Sequence, residues 1–202
     1  MKCMLNVYFL RHGQTAYNED NNRYCGRTDI PLTEKGRGQA GSVHQQLKHI
    51  SFDAVYTSPL QRASHTAQIA SGQRDIIKDD RLMEADFGEW EGKTKEEFIA
   101  ENEALWTDWM NDPLMTKAGG TGETAQQIVK RVDAFFKEVL EKHTSGNIMV
   151  VAHNGVNRLY LAYKLGMPLK HYRKLVQDNS TVTMFQLDET GELTLVHLNS
   201  KL

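Results

Sequence analysis

The sequence predicts an α/β protein: a three-layer sandwich with a mostly parallel central sheet and helices on both faces. Two observations carry this. Short apolar runs alternate with longer helical stretches, the order expected when each helix returns the chain to begin a parallel strand. Three of those runs also end in polar groups: "RHG" from Arg11, "TSPLQR" from Thr57 and "AHNG" from Ala152. In open α/β sheets ligands gather beyond the carboxyl ends of the strands, so three such exits converge on one place.

Met4–Leu10 reads as the first strand, a buried apolar run that stops at Arg11-His12-Gly13. Thr33 is a suitable N-cap for a helix running towards Ile50. Phe52–Thr57 is the second strand. Ser58 as cap and Pro59 at the first position predict a helix from there towards Ser71. Residues 93–120 differ in character, with Trp106, Trp109, Met110 and Met115 before and after a stop at Asp112-Pro113. They are expected to form a helical insertion beside the site, within one domain spanning 1–202. Trp106 and Trp109, three apart, should share one helix face packed on the core.

The clearest helix covers Glu123 to His143. Its apolar residues Ile128, Val132, Phe135, Phe136, Val139 and Leu140 step by about 3.6 residues, as one buried face requires. Asn147–Ala152 is a further strand, followed by a helix after Gly155 that ends near Gly166, with Pro168 beyond it. Thr181–Leu187 and Leu193–Leu198 flank "DETGE", a hairpin turn. "DNST", 178–181, reads as a turn into the first of these.

Bulk properties narrow the function. With 202 residues, 40% hydrophobic, the chain can bury a substantial core. Its 24 basic and 26 acidic residues give a formal net charge of −2, which asks for neither nucleic acid nor an anionic membrane as partner. Cys3 and Cys25 are expected to be reduced thiols in a cytoplasmic protein. No apolar run is long enough to span a bilayer. "AGGTGET", 118–124, is not a P-loop and reads as a loop capping the next helix. No H-E-x-x-H or paired C-x-x-C motif suggests a metal.

Arg11, His12, Arg62 and His153 stand at or just after the strand exits. Converging in a small volume they would repel one another, and a phosphate dianion would relieve that repulsion, with arginine offering paired planar donors. A neutral imidazole can also attack phosphorus. A proton donor for the leaving alkoxide is needed too. "RLMEADFGEWEG", 81–92, supplies Glu84, Asp86, Glu89 and Glu91, and spacing alone does not choose among them.

"LRHGQT" resembles the signature of the histidine phosphatase (phosphoglycerate mutase-like) superfamily. "NNRYCGRTDIPLTEKGRGQA", "VYTSPLQRASHTAQ", "LMEADFGEWEG" and "VVAHNGV" resemble its further blocks, in family order over most of the chain. The resemblance implies a phosphomonoester hydrolase with no cofactor or metal, acting on a small phosphorylated metabolite. It makes His12 the nucleophile that becomes a phosphohistidine. Arg11, Arg62 and protonated His153 complete the phosphate pocket, Asn18 adds a hydrogen bond, and Glu84 is the proton donor. Gln14, Thr15 and Asn154 stand at positions expected to bind substrate, Asn154 where many members have glycine.

"YCGRTDIPLTEKG" with "DFGEWEG" looks most like the α-ribazole-5′-phosphate phosphatase branch, although sugar-phosphate and broad-specificity phosphatases share these features. A phosphoglycerate mutase is the alternative reading. Such mutases carry a longer insertion with paired arginines, whereas 93–120 holds lysines and no arginine. An inactive phosphate-binding module is the third reading, and it should have lost part of a constellation that is complete here.

Overall fold

The computed structural model describes residues 4–73 and 75–201. Among these, six strands form one sheet: β1 (Leu5–Arg11), β2 (Ala54–Thr57), β3 (Ile77–Lys78), β4 (Gly146–Ala152), β5 (Val182–Leu187) and β6 (Leu193–Ser200). Their order is β3-β2-β4-β1-β5-β6. The first four in that order run parallel, and β5 and β6 join antiparallel at the other side. The mostly parallel sheet and the terminal hairpin are therefore as expected.

Among the described residues seven α-helices connect the strands: α1 (Ala16–Glu19), α2 (Glu34–Leu47), α3 (Gln61–Ser71), α4 (Lys95–Glu101), α5 (Glu103–Asn111), α6 (Ala125–Lys142) and α7 (Asn154–Lys164). Alternate residues of the central strands pack into two cores, because both faces of the sheet are covered. Leu5, Val7 and Phe9 join Ile128, Phe136 and Tyr160 of α6 and α7. Leu10, Val55, Met149 and Val151 join Val43 and Leu47 of α2 and Ala63 and Ala67 of α3. Phe136 stacks on Tyr160 at 4.6 Å, and Phe9 meets Phe136 edge-on at 5.8 Å.

Register brings the strand exits together. Arg11 pairs with Ala152 and Thr57 with Val151, so β1, β2 and β4 end on one edge. The next residues continue the ladder: His12 N–H donates to the Ala152 carbonyl at 3.1 Å, and Ser58 N–H to that of Val151 at 3.0 Å.

Some boundaries differ from expectation. α3 begins at Gln61 with Leu60 at its N-cap, not at Ser58-Pro59. Ser58 is still held by the sheet edge, and its hydroxyl accepts from Leu60 N–H at 3.3 Å, so a turn precedes the helix. Arg62 consequently falls in the first helical turn, facing the strand exits. α2 stops at Leu47, short of Ile50, and α7 starts at Asn154, with His153 as its N-cap. Thr33 caps α2 as expected, accepting from Gly36 N–H at 3.1 Å. β3 and the 3-10 segment Leu169–Lys174 carry no clear pattern in the sequence.

Trp109 of α5 is buried, and Trp106 packs beside it; both meet Trp90 edge-on. Trp109 Nε1 also donates to the Tyr172 hydroxyl at 3.4 Å, tying α5 to the 169–174 segment. No helix of the described residues is long and apolar enough to cross a membrane. Cys25 is a free thiol, and Cys3 lies outside the described residues.

Candidate active site

A cavity of about 440 Å³ opens at the edge where the strands end, and its wall includes Arg11, His12, Asn18, Arg62, Glu84 and Asn154. Gly13 lets the chain turn off β1 here. A Cβ on it would collide with the Gly36 carbonyl, so the exit loop packs directly on the start of α2.

His12 is 4% exposed. Its Nδ1 lies 2.7 Å from the Gly13 carbonyl, which can only accept, so Nδ1 carries the proton and Nε2 keeps its lone pair. Burial, then Arg62 and Arg11, hold the imidazole well below the usual histidine range. It is a neutral imidazole beside two cations.

Arg11 donates through Nη1 to the Gln177 carbonyl at 2.8 Å. Burial and then Arg158 push its pKa down to about 10, which leaves it charged at neutral pH. Arg62 has no exposed surface, yet forms part of the wall. Its Nη1 donates to the Thr28 carbonyl at 2.8 Å and its Nη2 to that of Gly26 at 2.7 Å. The "CGRT" segment thus serves as a clamp that orients Arg62. Glu91 in turn holds that segment, accepting from Arg27 N–H and Thr28 N–H.

Of the four carboxylates in 84–91, only Glu84 reaches the cavity. Asp86 caps a turn by accepting from Gly88 N–H, Glu89 is exposed, and Glu91 ties the loops together. Glu84 accepts from Ala85 N–H at 2.9 Å, Val156 N–H at 3.1 Å and Gly155 N–H at 3.2 Å. The last two open α7, where unpaired N–H groups and the helix dipole favour an anion. A Cβ on Gly155 would sit 2.8 Å from the carboxylate, so glycine is needed for this approach. Arg131 secures the other side by donating to the carbonyls of Arg81, Met83 and Glu84.

His153 stands beside His12, with 5.1 Å between the two ring centres. It is fully buried, and neither ring nitrogen has a hydrogen-bond partner among the described residues. Burial, Arg62 and His12 hold its pKa well below the usual value. Without a bound anion, two arginines and a desolvated setting oppose a third charge on His153.

Asn18 is as expected on the wall. Its carbonyl oxygen accepts from Thr15 N–H and Asn179 Nδ2, which leaves its own amide N–H groups as the donors for the cavity. Gln14 and Thr15 are corrected, since neither lines the cavity. Gln14 accepts from the Thr33 hydroxyl at 3.0 Å, and Thr15 caps α1, so both build the scaffold around Asn18. Asn154 lines the cavity, its buried Oδ1 without a partner.

Sequence reasoning missed Arg158, Arg173, Tyr24 and Tyr172, all on the wall. "DNST" does more than turn: Asn179 donates to the His12 carbonyl at 3.0 Å, and Ser180 N–H to that of Arg11 at 3.1 Å. Among the described residues no three His, Cys, Asp or Glu side chains are grouped to hold a metal ion.

A buried histidine, two clamped arginines and one carboxyl on an α/β strand edge define a phosphate-handling enzyme. The comparisons give the family. Residues 7–201 match the model of the Histidine phosphatase superfamily (branch 1), and the chain belongs to that superfamily as a phosphomonoester hydrolase. It is 36% identical to the adenosylcobalamin/α-ribazole phosphatase of Salmonella typhimurium, over 84% of this chain and 85% of the relative. It is 30% identical to phosphoserine phosphatase 1 of Hydrogenobacter thermophilus, over 95% of this chain and 91% of the relative. The crystal structure of a phosphoserine phosphatase variant from Entamoeba histolytica, in complex with phosphoserine, superposes with a TM-score of 0.88 at 28% identity, covering 98% of each chain.

Proposed function

We propose that the chain hydrolyses a small phosphorylated metabolite through a phosphohistidine on His12. The observation that carries this is the His12 Nδ1–Gly13 contact at 2.7 Å, which aims a bare Nε2 into a cavity walled by Arg11 and Arg62. In the first step Nε2 attacks phosphorus in line while the ester oxygen departs. Arg11 and Arg62 stabilise the charge spread over the equatorial oxygens. The unpartnered His153 ring beside His12 hydrogen-bonds one of these oxygens, taking up a proton as the dianion arrives. Asn18 donates to another.

Glu84 protonates the leaving oxygen and then accepts a proton from the water that attacks the phosphohistidine. Its three backbone donors suit the carboxylate form that serves the second step. Charge stabilisation comes from guanidinium groups, so no step calls for a metal or cofactor.

The substrate is small, and α-ribazole 5′-phosphate, a sugar phosphate or phosphoserine are the classes suggested by the relatives. Residues 93–120 act as a helical insertion beside the site within one domain, and the cytoplasm is the expected location. A panel of phosphomonoesters at equal concentration should release inorganic phosphate. If 3-phosphoglycerate were instead converted to its 2-phospho isomer without phosphate release, the mutase reading would replace this one.

A further inference from the structure

Among the described residues five arginines line the cavity: Arg11, Arg23, Arg62, Arg158 and Arg173. Arg11 and Arg62 serve the phosphoryl group. Arg23 is neutralised by Asp20 and by Glu97, the latter at 2.7 Å. Arg158 and Arg173 remain, and neither forms an ion pair among the described residues. Asp178, also on the wall, is occupied by Lys201 at 3.2 Å.

The two guanidinium groups are held in place. Arg158 Nε donates to the Asn154 carbonyl at 3.1 Å, one turn back along α7. Arg173 Nη2 donates to the Tyr24 hydroxyl, and the group lies 4.7 Å from the centre of the Trp106 ring. Both approach one ring: their central carbons stand 5.3 and 5.4 Å from the centre of Tyr172. Stacking on aromatic rings keeps a guanidinium charged and fixes its plane while its N–H edge stays free for an anion. Arg158 also lowers the Arg11 pKa more than Arg62 does, so it borders the phosphate pocket.

A phosphate dianion balances Arg11 and Arg62, and Glu84, the remaining carboxyl on the wall, offsets at most one of the two charges left on Arg158 and Arg173. We propose that Arg158 and Arg173 form a second anion subsite that takes a carboxylate of the substrate, so that the preferred substrates are phosphorylated hydroxy or amino acids. This rests on the phosphatase reading and deepens it. The cations that 93–120 lacks are supplied by α7 and the 169–174 segment. Arg158 and Arg173 are thus specificity-determining residues, distinct from the groups that act on phosphorus.

The test compares 3-phosphoglycerate with glycerol 3-phosphate, which differ by a carboxylate against a hydroxymethyl group. A charged hydrogen-bonded contact is typically worth about ten- to a hundredfold in affinity. The wild type should favour the acid in kcat/KM by at least about tenfold on the same grounds. Arg158→Gln and Arg173→Gln should each lower that ratio, and the double variant should bring it close to one. The ratio is taken on one preparation, so it does not depend on the fraction folded. Arg158→Lys should retain part of the preference. A wild-type ratio near one, or a ratio unchanged in the double variant, overturns the subsite while p-nitrophenyl phosphate turnover by the wild type upholds the phosphatase reading. Failure of the wild type to hydrolyse any of the three esters overturns both.

Discussion

The Glu84 carboxylate lies 3.1 Å from the Val156 N–H, docked on the first turn of the helix whose N-cap is His153. Two groups from distant parts of the sequence, Glu84 and His153, are thereby fixed to one another. If Glu84 is the general acid, Glu84→Gln should slow alkyl phosphates by about 10²–10⁴-fold and p-nitrophenyl phosphate far less. Nitrophenolate departs without protonation, whereas an alkoxide does not. Asp86→Asn and Glu89→Gln should show no such dependence on the leaving group. An equal loss on both esters in Glu84→Gln would remove this role.

Arg131 positions the loop that carries Glu84, through three backbone carbonyls and Glu123. Arg131→Met should lower kcat on alkyl phosphates more than on p-nitrophenyl phosphate, as Glu84→Gln does but to a smaller degree. It should also destabilise the fold by about 1.5–3 kcal/mol, the usual cost of a charged hydrogen-bonded contact. A loss of stability with equal rate losses on both esters would make Arg131 structural only.

The buried histidines set a pH dependence of stability. His12 and His153 titrate well below the value of 6.5 for a free histidine. Between the folded and unfolded values the unfolded chain binds more protons, so stability rises with pH there and falls as pH drops below about 6.5. The melting temperature should therefore fall from pH 7 to pH 5. His153→Asn should flatten that slope, and inorganic phosphate should raise the melting temperature of the wild type. A slope identical in wild type and variant would mean that His153 binds its proton equally well in the folded and the unfolded chain.

Chemistry resting on guanidinium groups makes a further expectation simple. Prolonged dialysis against EDTA should leave turnover unchanged, and vanadate should inhibit by imitating five-coordinate phosphorus. Activity lost to EDTA and restored by a divalent cation would require a different account.

The sheet and its exits were legible because their signals are local. Apolar runs gave β1, β2 and β4, and Thr33 and the apolar stripe of 123–143 gave α2 and α6. His12, Arg11, Arg62, Asn18 and Glu84 were reached through motifs, and the structure brings all five to one cavity. Spacing does not separate Glu84 from Asp86, Glu89 and Glu91; the resemblance chose it, and in the fold the approach of α7 sets it apart. Gln14 and Thr15 were misplaced because a motif gives sequence neighbours, and neighbours on a turn point different ways. Arg158 and Arg173 were missed for a related reason. They look like ordinary helix-surface cations, and only the packing of Tyr24, Tyr172 and Trp106 shows that they face inward.

The central claim is the covalent intermediate on His12. Mixing the wild type with a phosphomonoester and quenching within a single turnover should yield an acid-labile, base-stable phosphoryl group, located on the peptide containing His12. His12→Ala should give no adduct and no turnover while keeping its fold by circular dichroism. Turnover by His12→Ala near the wild-type rate, or a quenched wild type whose phosphoryl group sits on another residue, would contradict the account.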